Sequence, residues 1–170
     1  AHLEPDRRYG YAHLEETRLA LTRAALKVAK PRGFERLAVV IHAYYPDVLG
    51  EFIANIKALP VAFDVHVTTG EAQAGAVRQA FEAAGLAATI STVENRGRDV
   101  APFLETLRGF EPGRYSHVLK LHTKKSLHIG DGEDWRHDLY AQLTTPEAVG
   151  TMLEIFARTP ELGMLGANGH

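Results

Sequence analysis

The strongest constraint on the fold of this chain is a regular alternation of short apolar runs with longer amphipathic segments. Strands that alternate with helices at this spacing form a mainly parallel sheet with right-handed crossovers. The sequence therefore predicts an α/β fold whose sheet is covered by helices on both faces. The predicted strands are Arg36–His42, Phe63–Thr68, Ala88–Val93, Ser116–Leu121 and Gly163–Ala167.

The segments outside these strands carry helical patterns or loop residues. Leu14–Ala29 is amphipathic and ends at a Pro- and Gly-containing turn, which predicts a helical lead-in over residues 1–35. Ile129–Asp134 is glycine-rich and charged, which predicts a loop. The remaining predicted helices are Pro46–Ala58, Ala72–Ala84, Val100–Arg108, Trp135–Gln142 and Pro146–Arg158.

Composition excludes several classes of protein. A chain of 170 residues builds one well-formed core, so we expect a single domain over residues 36–170. The formal net charge of −2 gives no reason to expect a nucleic-acid partner. The absence of cysteine excludes a disulfide framework and thiolate zinc sites and is compatible with a cytoplasmic protein. No apolar run approaches the roughly 20 residues that span a bilayer, so no transmembrane segment is expected. Both ends have the pattern of cut points, so we expect a longer natural protein.

Polar and basic side chains follow the carboxyl ends of the predicted strands, where parallel α/β sheets bind ligands. The first cluster is Asn95-Arg96-Gly97-Arg98-Asp99, and the second is His122-Thr123-Lys124-Lys125-Ser126. Arginine forks, lysines and helix N-termini all bind phosphate oxygens, so both clusters predict an anion site. Smaller groups at the other strand ends are His42, Tyr44, Tyr45, Thr68, Thr69 and Asn168.

Several of these residues also have a structural interpretation. Asp99 either caps the next helix and pairs with Arg96 or Arg98, or accepts a hydrogen bond from a nucleotide. Lys120 lies within a core strand, so its ammonium needs a partner such as Asp99 or Asp64, or a ligand charge.

Each remaining candidate either contacts a ligand or has a purely structural role. Thr68 and Thr69 either contact a ligand or cap the helix that starts near Glu71. His42, Tyr44 and Tyr45 either face a ligand or pack in the fold. The double lysine either reaches a diphosphate or belongs to a solvated loop.

A built-in metal site is not expected. The nine histidines do not fall at ligand spacing, and no His-Glu-x-x-His pattern occurs. The acidic stretch with Asp131, Glu133 and Asp134 would hold magnesium only weakly. No Ser-His-Asp signature or glycine-rich phosphate loop is present either.

Four ordered segments together resemble the rhamnan synthesis protein F family. The resemblance runs from about Arg36 to the C-terminus and implies a part in building rhamnose-containing cell-surface polysaccharides. It further implies a glycosyltransferase-like module similar to the nucleotide-binding half of a GT-A fold, truncated at its C-terminus. The matching segments are Ile41–Pro46, Phe63–Thr69, Asn95–Pro102 and Leu119–Ser126.

The resemblance also implies a donor site without metal. GT-A enzymes usually end their fourth strand in an Asp-x-Asp-type motif that holds a divalent ion, whereas this chain has His122-Thr123-Lys124. Fixed cations can neutralise the leaving diphosphate instead, so no cofactor is expected. Both clusters would then hold the diphosphate, with Asp64, Thr68 and Thr69 near the nucleoside.

The implied substrates are a nucleoside-diphosphate sugar such as dTDP-rhamnose and a glycan or lipid-linked glycan acceptor. A lipid-linked acceptor would place the protein at the inner membrane face. The candidates for the general base are His42, His128 and Asp134. None is convincing on sequence, so a non-catalytic nucleotide- or sugar-binding module of a larger assembly protein is the alternative.

Overall fold

Four parallel strands form one sheet in the order β3-β2-β1-β4. A computed structural model of the chain describes residues 36–123 and 132–167. The strands are β1 Leu37–His42, β2 Phe63–Thr69, β3 Thr89–Thr92 and β4 His117–His122. The α-helices are α1 Gly50–Lys57, α2 Ala74–Ala84, α3 Val100–Arg108, α4 Gly132–Thr144 and α5 Pro146–Arg158. The expected α/β fold, with a parallel sheet and helices on both faces, is confirmed.

The main core lies between the sheet and the layer of α1, α2 and α4. β1 is the buried central strand, and Leu37, Val39 and Ile41 alternate onto this face. Phe52 of α1 and Phe81 of α2 are among the largest fully buried side chains against it. Burial of such side chains contributes about 1.5–3 kcal/mol each, which explains why the apolar β1 run specifies the centre of the sheet.

The opposite face is covered by α3 and is more polar. α3 packs over β1 and β2, above the fully buried Ala38 and Val40. The polar strand residues alternate onto this face by their period of two. They are Asp64, His66, Thr68, Lys120 and His122.

The strand order reverses beside β1. From β1 the chain builds outward through β2 and β3, and then returns across the sheet so that β4 pairs with the other side of β1. In sheets of this kind the crevice for ligands opens at the carboxyl ends of the two strands that flank the reversal. The carboxyl ends of β1 and β4 are therefore the expected ligand position.

Three predicted elements differ from the structure. The predicted fifth strand Gly163–Ala167 is wrong: it has no strand structure and Met164 is 83% exposed. Two of its five residues are glycines, which weaken a strand. The predicted helix from Pro46 is divided into a 3-10 turn, Pro46–Val48, and α1. The predicted loop Ile129–Asp134 overlaps α4, where acidic residues suit the first helical turn.

The predicted helix Leu14–Ala29 lies outside the described residues. Within the described residues, no helix combines the length and apolar character that crossing a membrane requires.

Candidate functional site

Two histidines stand side by side in the crevice between β1 and β4. His42 and His122 are register partners at the carboxyl ends of these strands. His42 Nδ1 lies 3.0 Å from Thr68 Oγ1. Burial lowers the pKa of His42, with the charges of His122 and Lys120 adding to the effect and Asp99 opposing it. His42 is therefore held toward its neutral form, in which one ring nitrogen can accept a proton.

Asp99 is the carboxylate shared by the cations of this crevice. It forms an ion pair with Lys120 Nζ and lies 3.8 Å from His122 Nδ1. Burial opposes ionisation of Asp99, but the Lys120 hydrogen bond and the two positive neighbours lower its pKa overall. The prediction that Lys120 needs a carboxylate partner is confirmed. Asp99 occupies the N-cap position of α3, but the interpretation that its side chain caps the helix is wrong, because that side chain makes no capping hydrogen bond.

The first cluster forms a turn with left-handed backbone directly before α3. Gly97 has φ +73° and Arg98 has φ +53°. A Cβ on Gly97 would lie 2.5 Å from Ala101 Cβ, so only glycine fits there. Left-handed backbone costs a residue such as Arg98 about 1–2 kcal/mol. Asn95, Arg96, Gly97 and Arg98 are all exposed beside the N-terminus of α3, where positive backbone charge favours an anion.

Thr123 forms hydrogen bonds that join the ends of β1 and β4. Its Oγ1 accepts a hydrogen bond from the Tyr45 backbone N–H at 2.8 Å, and its own N–H donates to the His42 carbonyl at 3.0 Å. Thr123 is only 4% exposed. Within the second cluster, this residue is therefore placed to hold the loops rather than to present its hydroxyl to solvent.

Thr68 and Thr69 are buried at the end of β2. The Thr69 hydroxyl donates to the Ala43 carbonyl at 2.7 Å, while Thr68 contacts His42. Neither side chain caps the following helical turn, so that interpretation is wrong. Thr69 instead braces the segment that follows β1, and Thr68 contacts the last residue of β1.

Tyr44 lies two residues beyond the carboxyl end of β1. Its side chain is 39% exposed, and its ring packs edge-to-face against Tyr45 at a centroid distance of 4.8 Å. A ring held in this way can stack on a planar ligand at little further entropic cost.

Asp64 is not brought into the crevice. It is the second residue of β2 and lies at the amino end of the sheet, beside Ala38. Its carboxylate accepts from Arg36 at 2.6 and 2.9 Å, from the Tyr115 hydroxyl at 2.9 Å and from Arg114 at 3.2 Å. These bonds hold the pKa of Asp64 well below its usual range, with the Arg36 bond the largest cause.

The Asp64 cluster extends to His66. Tyr115 Oη lies 2.8 Å from His66 Nε2, and the hydroxyl proton of Tyr115 goes to Asp64. Since the phenolic oxygen then accepts from the ring, Nε2 is the protonated nitrogen of neutral His66. Burial lowers the pKa of His66, with Arg114 adding to the effect and Asp64 opposing it.

A second cleft opens on the far side of the Arg96–Asp99 turn. It has a volume of about 620 Å³ and lies between the end of β3 and α3. Arg96 and Gly97 line it together with two carboxylates, Glu94 and Glu105. The exposed turn thus borders both this cleft and the crevice at β1 and β4.

Several predicted site residues are not placed. Lys124, Lys125, Ser126, His128 and Asn168 lie outside the described residues. For Asp134 the description extends only to its backbone, within α4. Among the described residues, no three His, Cys, Asp or Glu side chains are grouped as metal ligands.

Sequence reasoning missed two residues that fix α4 against the site. The Tyr140 hydroxyl donates to the His122 carbonyl at 3.1 Å. Arg136 binds Glu51 of α1 through bonds of 2.8–3.2 Å, and its side chain is only 11% exposed. An arginine and a tyrosine spaced i, i+4 put both on one helix face, which was the available signal.

Comparison with known proteins agrees with the resemblance described above. Two proteins of Xanthomonas campestris pv. campestris, from strains B100 and ATCC 33913 and both named "Uncharacterized protein WxcX", are 37% identical to this chain over 171 residues. Each alignment covers 99% of this chain and 24% of the relative, so the chain spans about a quarter of their length. No solved structure matches the chain. The family model described as "Rhamnan synthesis protein F" matches residues 16–169, and the chain belongs to that family.

Proposed function

We propose that this domain binds the nucleoside diphosphate of a sugar donor and transfers the sugar, rhamnose, during polysaccharide synthesis. One observation carries the proposal. His42, His122 and the Lys120–Asp99 pair converge where the strand order reverses, which is where such sheets bind ligands. Family membership supports the link to rhamnose-containing polysaccharide.

The diphosphate would lie between the Arg96–Asp99 turn and the end of β4. The exposed Arg98 and the N-terminus of α3 offer positive charge from one side. From the other side, His122 would contact it, and Lys124 and Lys125, which follow in the sequence, would add positive charge. Charge-assisted bonds from such groups are the strong class of hydrogen bond to phosphate.

The nucleoside would lie toward β1 and β2. Tyr44 is an exposed aromatic residue just beyond the end of β1 and would stack on the base. Asp64 is excluded from this role, because it lies at the amino end of β2 in its arginine cluster.

Transfer would break the bond between the sugar C1 and the diphosphate oxygen as an acceptor hydroxyl attacks C1. The leaving diphosphate takes the bond's electron pair, and the hydroxyl proton needs a base. His42 fits because its environment lowers its pKa and favours the neutral ring. The leaving diphosphate would be stabilised by the protein's cations rather than by a metal.

Calorimetric titration with dTDP, UDP and GDP tests the donor site. Arg98→Ala and Lys124→Ala should each weaken diphosphate binding by roughly 1–3 kcal/mol, the range for a hydrogen bond to a charged group. Arg78→Ala is the matched control, since Arg78 is an exposed cation on α2. Binding by none of the three nucleotides would remove the donor-site proposal.

Two further measurements define the chemistry. Donor binding that persists in millimolar EDTA is expected, and loss of binding that magnesium restores would contradict the metal-independent site. Turnover of a dTDP-sugar that is lost in His42→Gln would support transfer. Donor binding without turnover in the wild type would favour a non-catalytic nucleotide- or sugar-binding module.

A further inference from the structure

The cleft between the end of β3 and α3 has the size of a small-molecule site. Its volume of about 620 Å³ lies within the range of roughly 300–1,000 Å³ that ligand pockets occupy. Its walls come from two parts of the chain, the segment that follows β3 and the first two turns of α3. The function proposed above assigns no ligand to this cleft.

Three charged residues line the cleft, and they are Glu94, Arg96 and Glu105. All three are exposed. Within residues 36–123 and 132–167, none of them has a side-chain hydrogen bond or an ion pair with another residue of these ranges. Their charges and their hydrogen-bonding groups are therefore available to a ligand.

This combination of charges disfavours ionic ligands. Two carboxylates repel an anion such as a phosphate, and the guanidinium of Arg96 repels a cation. A neutral ligand with many hydroxyl groups meets neither cost. Its hydroxyls can donate to the carboxylates, and its oxygens can accept from the guanidinium. Among biological ligands, neutral molecules dense in hydroxyl groups are saccharides.

An apolar surface lies beside these polar groups. Val93, Ala101 and Pro102 line the same cleft. A sugar ring presents C–H groups as well as hydroxyls, and a 6-deoxy sugar such as rhamnose adds a methyl group. A cleft that is part apolar, with a few convergent polar groups, therefore suits a saccharide better than it suits a ligand that is polar throughout.

One wall of the cleft is fixed by the backbone. Gly97 and Ala101 both line it, and Gly97 has φ +73°. A Cβ on Gly97 would lie 2.5 Å from Ala101 Cβ, so the turn packs closely on α3. A wall preformed in this way loses little conformational entropy when a ligand binds.

We propose that this cleft binds a neutral saccharide unit of the acceptor glycan. Glu94 and Glu105 would accept hydrogen bonds from its hydroxyls, and Arg96 would donate to its oxygens. Saccharide binding is inferred from the lining residues alone, whereas the assignment of that saccharide as acceptor rests on the function proposed above. The Arg96–Asp99 turn borders both the cleft and the crevice, so a glycan bound here would lie beside the donor site.

Titration of the chain with methyl α-L-rhamnoside and with a rhamnose disaccharide, followed by amide NMR, tests the site. The amide signals of Gly97 and Ala101 should shift. Glu94→Ala and Glu105→Ala should each weaken binding about tenfold, as expected for loss of a hydrogen bond to a charged group. Glu82→Ala is the matched control, at an exposed position on α2, and should bind like the wild type. No shift with either saccharide, or equal affinity in all variants, would overturn the proposal.

Titration with dTDP separates this proposal from the function proposed above. Glu94→Ala and Glu105→Ala should leave dTDP affinity unchanged, because the cleft lies on the far side of the turn from the crevice. Saccharide binding without dTDP binding would support the saccharide site and remove its acceptor role. Binding of dTDP without saccharide would overturn the saccharide site and leave the donor site intact. Simple competition between the two ligands would also overturn the proposal, since they would then share one site.

Discussion

The backbone N–H of Tyr45 donates to the side-chain oxygen of Thr123 at 2.8 Å, across 78 residues of sequence. This bond joins the segment after β1 to the segment after β4, on the two sides of the point where the strand order reverses. Thr123 also donates its own N–H to the His42 carbonyl. The relative position of the two segments that would hold a ligand therefore depends on one buried threonine.

Thr123→Val should lower the free energy of unfolding by about 1–3 kcal/mol, because it removes the acceptor for the Tyr45 N–H while keeping the side-chain volume. Urea unfolding measures the change. Thr123→Ser keeps the hydroxyl and should lose less. A valine variant as stable as the wild type would show that the Tyr45 bond contributes nothing to the fold.

Stability should fall as the pH drops below about 6.5. Burial is the largest cause of the lowered pKa values of His42, His66 and His117. Below their ordinary value of 6.5 the unfolded chain takes up protons that the folded chain resists, so protonation favours unfolding. Asp64 and Asp99 have lowered pKa values, so their contribution is present above the ordinary value of 3.8 and is lost at more acid pH.

His66→Gln should reduce the loss of stability between pH 7.5 and pH 5.5. The amide nitrogen of glutamine can still donate to Tyr115 but does not titrate. Urea unfolding at the two pH values measures the difference. His137→Gln, at an exposed position, is the control and should keep the wild-type dependence. The same loss in His66→Gln and wild type would exclude His66 as a source of the effect.

The apolar pattern was sufficient to predict the fold class, because buried parallel strands and amphipathic helices leave strong periodic signals. It also predicted that Lys120 needs a carboxylate. It left open whether that carboxylate is Asp64 or Asp99. The choice depends on the strand register, which places Asp64 at the amino end of the sheet, and on the path of the crossover into β4. Those depend on packing between distant segments, which local periodicity does not record.

The structural roles of the buried threonines were harder to predict. A threonine after a strand has the same local sequence signal whether it caps a helix, contacts a ligand or bonds to a neighbouring segment. Thr69 and Thr123 bond to the segment after β1 because β2 and β4 flank β1 in the sheet. The two residues are therefore explained by the strand order, which became known only with the structure.

Gly97→Ala should destabilise the domain by about 1–3 kcal/mol, since it adds a Cβ at a left-handed backbone position and next to Ala101. Gly75→Ala is the matched control. Gly75 lies in α2 with no atom within 4 Å of an added Cβ, so alanine there should stabilise by about 0.5–1 kcal/mol. Thermal or urea unfolding of both variants provides the comparison. Equal effects of the two substitutions would contradict the proposed constraint on the turn.

Asp99 and a bound diphosphate would compete for the same cations, and this competition leads to a prediction about affinity. If the diphosphate binds beside Lys120, the Asp99 carboxylate competes with it, and Asp99→Asn should tighten dTDP binding. The same substitution should lower stability, because Lys120 loses its ion-pair partner. Calorimetry and urea unfolding measure the two effects. Weaker dTDP binding in Asp99→Asn would instead indicate that Asp99 accepts a hydrogen bond from the nucleotide.

A double-mutant cycle of Asp99→Asn and Lys120→Met isolates the contribution of the Asp99–Lys120 ion pair to the free energy of unfolding. The coupling between the two positions should be about 1 kcal/mol at pH 7, in the range for residues in direct contact. Because the pKa of Asp99 is lowered in the folded chain, the coupling is present above the ordinary carboxyl value and should disappear as the pH falls through the folded value. Additive effects at pH 7 would show that the ion pair does not stabilise the crevice. Lys120 and His122 would then be held in place by β4 alone.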